Sequence, residues 1–290
     1  MIKKKFAFLL FILSATIASY TFMGGDCSTN NDENINLPIN TVAPPASFIF
    51  KLEAEPGGDS EAIFNWTASP DENNSDFEGY RIITVRLNED DEIVSVVQVQ
   101  ALGKTSKSHR ISVERGIRYK TFLLAELNDG AGSDSLETNV YGGIFYSNDG
   151  QVDSYMENSS SESGFGWNVT TGSGTQYPYT DGNAGKIDLH IRELGDEPYF
   201  FSPNGLNENY KLTRIKNIGS GQSAFDETDL PEADETFLIV NLGDVYLVKT
   251  QEEYYAKIWI KNITPPDDNQ SYYTVQFEYK LQPIRGLRVL

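Results

Sequence analysis

Short apolar runs separated by turn residues recur from residue 47 to the end of the chain, and most of them alternate with a period of two. In the first half these runs cover residues 47–52, 62–66, 80–85, 92–99, 109–113, 119–127 and 135–141. No helical period interrupts them, so seven short strands closing into a β-sandwich are expected. Further strands are expected at 143–146, 165–170, 186–193, 199–202, 236–241, 244–250, 254–262 and 272–281. Ile187, Leu189 and Ile191 alternate with Asp188, His190 and Arg192, while Val275, Phe277 and Tyr279 alternate with Thr274, Gln276 and Glu278. Each pattern predicts a strand with one buried and one wet face, so His190 is expected to face solvent. The expected fold class is all-β, a sandwich over residues 44–141 followed by a mostly antiparallel β domain over 142–290.

The first residues break this pattern. Lys3, Lys4 and Lys5 precede an apolar run at 6–13 that continues to Ala18. That run falls short of the roughly 20 apolar residues a membrane-spanning helix needs. A basic start, an apolar centre and small residues make a secretory signal peptide over 1–26. Residues 27–43 are polar and acidic without an apolar period, and read as a flexible tether. A lone Cys27 directly after the leader resembles the acylated cysteine of bacterial lipoproteins, and Ser28, Asp32 and Glu33 are similar to surface-export signals of Bacteroidota lipoproteins. Asp26 departs from the small residue usual before such a cysteine. The resemblance implies lipidation at Cys27, anchoring to the outer membrane, and a location at the cell surface or in the periplasm. The plainer alternative is cleavage near Ala18 or Gly24, with Cys27 a spare thiol.

Composition narrows the chemistry. Among 290 residues, 23 Lys and Arg face 42 Asp and Glu, a net charge of −19 that repels a phosphate backbone and argues against a nucleic-acid partner. One cysteine excludes a disulfide framework, and two histidines leave few ways to build a His-centred catalytic or zinc site. No Gly-x-Ser-x-Gly elbow is present, and the chain is expected to bind rather than catalyse. A pair of carboxylates for glycoside cleavage stays open as a third reading. The acidic stretches at 71–76 and 226–235 lack the spacing of a calcium loop and read as solvated turns.

Two resemblances sharpen the domain reading. Trp66 near the end of the second strand, Ser69-Pro70-Asp71 after it, and Tyr119, Thr121, Leu123 and Ala125 on one face resemble a fibronectin type III domain over 44–141. The resemblance implies a tyrosine corner at Tyr119, its hydroxyl bonded to upstream backbone. The stretch from Asp244 to Tyr279 resembles the end of HmuY-like proteins, haem-binding surface lipoproteins of Bacteroidota. Haem binding in that family is associated with a pair of axial imidazoles. This domain offers His190 alone, with Met156 as a softer second candidate. No cofactor is therefore expected, and haem is carried as a candidate ligand that the residues do not indicate. Trp167, Tyr199 and Phe201 are candidate binding rings, because alternation turns Tyr199 and Phe201 away from Phe200. The leading expectation is non-catalytic capture of a small ligand by the second domain. The alternative is a structural or adhesive module that binds glycans or proteins.

Overall fold

The computed structural model describes residues 42–155, 161–267 and 270–290. The leader, the tether, Cys27 and Met156 lie outside the described residues.

The described residues make an all-β fold of four antiparallel sheets, with little helix. In the first half, β1 (Phe48–Ala54), β2 (Ser60–Trp66) and β5 (Ser108–Val113) form one sheet. It faces a second sheet in the order β4 (Ile93–Gly103), β3 (Phe77–Leu87), β6 (Arg118–Leu127) and β7 (Leu136–Glu137). Alternate residues of both sheets meet inside: Leu52, Phe64 and Trp66 from one, Tyr80, Ile82, Tyr119 and Leu123 from the other. Complete burial of one such side chain stabilises the fold by roughly 1.5–3 kcal/mol. Tyr119 is buried, and its hydroxyl accepts the upstream Glu114 backbone N–H at 3.3 Å. Gly130, at φ 83°, turns the chain after β6.

The second half adds two five-stranded sheets. One runs β10 (Gly174–Tyr177), β9 (Gly164–Trp167), β11 (Leu189–Leu194), β12 (Glu197–Phe201) and β14 (Phe237–Ile239). The other runs β13 (Arg214–Ser220), β15 (Asp244–Lys249), β16 (Tyr255–Thr264), β17 (Thr274–Gln282) and β8 (Phe145–Asp153). Between them Phe165, Leu189, Ile191 and Phe200 pack against Tyr246, Ile258, Val275, Phe277 and Tyr279. The period-two pattern of 274–279 is therefore borne out.

The β13–β8 sheet is also covered from behind. Leu247 and Tyr255, with Ile284, Leu287, Val289 and Leu290 of the segment after β17, join the cluster that holds the sandwich core. Ser60 Oγ accepts the Ile144 N–H at 2.9 Å, Arg115 Nε donates to the Ile144 carbonyl at 3.0 Å, and Gly57 N–H donates to Tyr146 O at 3.0 Å. All described residues fall in one compact unit.

Four expectations need correction. Strand 135–141 shrinks to β7, because its ladder with β6 breaks after Glu137 and resumes only as an isolated bridge between Tyr141 and Tyr119. The strands β10 and β13 were not anticipated, since Gly174 and the glycine-broken 214–220 stretch obscure their alternation. One six-residue helix, α1 (Gly221–Asp226), forms where none was expected. Finally, Asp188 and His190 are buried rather than wet; the loop between β12 and β13 brings Lys211 onto Asp188, and Tyr179, from the stretch between β10 and β11, lies on His190.

Candidate functional site

The outer face of the β10–β14 sheet carries two cross-strand rows. In one, Gly164, His190, Phe201 and Phe237 sit side by side on β9, β11, β12 and β14. In the next, Tyr155 bridges to Arg192, which lies opposite Tyr199 and then Ile239. Strand geometry sends Phe200 to the core and its neighbours outward. Phe200 is fully buried, while Tyr199 and Phe201 are half-buried.

A column of rings rises from His190. The Tyr179 ring lies over the imidazole with centroids 4.2 Å apart, and Tyr210 stacks on Tyr179 at 4.1 Å and 11°. Tyr155 meets both His190 and Tyr179 edge-on, at 5.8 and 5.9 Å. The loop after β12 locks this column. The Tyr179 hydroxyl donates to Pro203 O at 2.7 Å, and Lys211 Nζ reaches Asp188 Oδ1 at 2.9 Å. Asp188 also accepts the Trp167 N–H at 2.9 Å, and its carbonyl accepts the Thr213 hydroxyl at 2.6 Å. Burial pushes the Asp188 carboxyl above its usual range, against the pull of Lys211.

His190 is held in one form. Its Nδ1 donates to Ser163 O at 3.0 Å, which leaves the lone pair on Nε2. Burial lowers its pKa to about 3, so the ring is neutral throughout the physiological range. Nε2 is buried without a hydrogen-bond partner among the described residues.

Beside the column lies an open ledge. Phe237 on the edge strand β14 is 52% exposed and stacks on Phe201 at 5.7 Å and 16°. Tyr199 stands 6.4 Å from Phe201, and the Arg192 guanidinium lies 5.9 Å from the Phe201 ring and 5.8 Å from Tyr155. No family model and no curated protein matches this chain. A solved structure it is similar to is the twitchin kinase region from C. elegans, at 12% identity and a TM-score of 0.26. That match covers 82% of this chain and 40% of the other, and the likeness carries no argument about fold or function.

Rings presented this way offer apolar faces to the C–H side of a sugar or to a flat π-system, and the guanidinium adds a fork of hydrogen-bond donors. The sequence-predicted residues divide accordingly. Tyr199 and Phe201 come together on the ledge. Trp167 faces the other way, packed edge-on against Phe165 at 5.3 Å and Tyr279 at 6.1 Å, and belongs to the inter-sheet core. His190 stands under Tyr179 rather than on the surface. Arg192 and Phe237 are functional candidates that the sequence reading missed. The period shared by Phe237 and Ile239 was the available signal, masked by the acidic run before it.

The arrangement does not fit an axial haem ligand. Tyr179 covers the His190 ring, the side chain has no exposure, and the second imidazole, His109, stands on β5 of the sandwich. Among the described residues no group of three or more His, Cys, Asp or Glu is placed to hold a metal ion.

Proposed function

We propose that this chain is an exported, lipid-anchored surface protein that captures a ligand without chemistry, on the ledge formed by Arg192, Tyr199, Phe201 and Phe237. The observation that supports the reading is the exposed Phe237 ring stacked on Phe201 beside a guanidinium. An apolar ring left in water at a sheet edge costs solvation unless something covers it. The ligand class is a ring with an apolar face and hydroxyls at its rim, a saccharide in the first place. The fibronectin type III reading of 44–141 is supported by the three-on-four strand order and the Tyr119 corner. The HmuY-like reading of 142–290 rests on the sequence of its last strands. Anchoring rests on the leader and Cys27.

The test is a titration of the chain with a panel of neutral oligosaccharides, followed by intrinsic fluorescence, with haemin followed by visible absorption in parallel. A saturable saccharide complex weakened at least about tenfold by Phe237→Ala, with the melting temperature nearly unchanged, is expected. A Soret shift lost in His190→Ala would replace this reading with haem capture. Silence in both titrations, or binding indifferent to Phe237→Ala, would overturn the ledge as the site.

A further inference from the structure

The strand β4 is an open edge. Among the described residues, in the order β4-β3-β6-β7, it has a partner on one side only, and from Ile93 to Gly103 it contains no charged residue. Val94, Val96, Val97 and Val99 are 67%, 40%, 47% and 46% exposed. Other edges of this fold are short, as in β7 with two residues and β14 with three, or charged, as in β1 with Lys51 and Glu53. A long, neutral, valine-rich edge presents a row of unpaired backbone groups to any complementary strand.

We propose that two copies of this chain pair through β4, antiparallel across a two-fold axis. Charge selects this occupant. Glu89, Asp90, Asp91 and Glu92 precede the strand, and Lys104 and Lys107 follow it. Parallel pairing would set acid against acid and lysine against lysine. Antiparallel pairing about Gln98 sets Ile93 opposite Gly103, Lys104 opposite Glu92 and Lys107 opposite Glu89, and symmetry repeats these pairs at the other end. Lys107 already lies 2.9 Å from Glu72, so the Lys107–Glu89 pair adds less than the Lys104–Glu92 pair nearer the strand.

The pairing also gives the exposed valines a place. The ladder between β3 and β4 shifts between Thr84 and Val85 and again between Arg86 and Leu87, which leaves Val97 and Val94 without a β3 partner. In the proposed dimer these two residues stand opposite Val99 and Leu102 of the second copy. The far edge, β7, is too short to propagate the sheet, so the assembly closes at two.

Sedimentation velocity of the full chain over a concentration series tests this. A monomer–dimer equilibrium that weakens with added salt is expected. Val99→Lys should raise the dimer dissociation constant at least about tenfold while leaving the circular-dichroism melt in place. Lys104→Glu should weaken the dimer too, and adding Glu92→Lys in the same chain should restore it. A monomer at every concentration, a dimer untouched by Val99→Lys, no rescue by the charge swap, or open-ended polymers would each overturn the proposal.

Discussion

His190 shows how burial sets the chemistry of a single side chain. Its pKa of about 3 lies below the ordinary value of 6.5, so unfolding takes up a proton anywhere between the two. The stability this neutral ring supports is complete above pH 6.5 and is lost as pH falls toward 3, by at most about 1.4 kcal/mol per pH unit. Asp188, with its carboxyl pushed up, works in the opposite direction, so the comparison needs a variant. His190→Phe is expected to flatten the fall in urea midpoint between pH 6.5 and 4, and an unchanged slope would contradict a buried neutral imidazole. A second residue-scale prediction concerns Lys257, whose pKa burial lowers to about 6. Its Nζ donates to the carbonyls of Phe225 at 2.7 Å and of Glu227. Lys257→Met takes this donor from the Glu227 carbonyl and leaves Phe225 O to Lys280 alone, and should cost about 1–3 kcal/mol by denaturant titration. Legibility at this scale followed alternation. Tyr119 and the outward turn of Tyr199 and Phe201 could be read from period two alone. The fate of Asp188 and His190 could not, because their cover comes from Lys211, in a loop whose Ser-Pro-Asn-Gly start reads only as a turn, and from Tyr179, in the irregular stretch before β11.

Elements were legible where alternation was clean and lost where glycine broke it. The paired strands β9 and β10, of which only β9 was expected, illustrate why glycine is there. A Cβ added at Gly166 would stand 1.9 Å from Lys186 O, and one at Gly174 would stand 2.0 Å from the Phe165 ring. Both positions let backbone pass close to a neighbour, so the sequence gains fit and loses the hydrophobic mark that would announce a strand. Gly166→Ala is expected to destabilise the chain by about 1–3 kcal/mol through overpacking, while Gly182→Ala, with open space around it, should be far milder. Matched thermal melts check the pair. The helix α1 was invisible for a different reason. It is six residues long with no cap from its own side chains, and Lys280 Nζ, bonded to Phe225 O at 3.0 Å and Asp226 Oδ1 at 3.0 Å, holds its end from a distant strand.

At the scale of the whole molecule, the two halves do not behave as beads on a string. Ile284, Leu287, Val289 and Leu290 share a cluster with Tyr141, Ile144 and the sandwich interior. Calorimetry should therefore record one cooperative transition across residues 42–290, and two well-separated transitions would contradict the shared core. Ile284→Ala should lower that single transition, by about 2–4 kcal/mol for a large-to-small change in a packed seam. Sequence reading divided the chain at residue 141 because turn residues cluster there; the seam escaped it because the contacts join residues far apart in the chain.

That long reach also bears on how quickly the molecule can form. The strand β8 pairs with β17, Val152 beside Val275 and Phe145 beside Leu281. During synthesis β8 emerges well over a hundred residues before the strand it must lie against, whereas β15, β16 and β17 follow one another and can zip up as a meander. The β8–β17 ladder is thus the natural slow step, and its amides are the ones that pulse-labelled hydrogen exchange should find protected last. Until then β8 is an unsatisfied edge with Phe145 and Val152 on offer, and the interval between its emergence and its docking is when this chain most needs a chaperone.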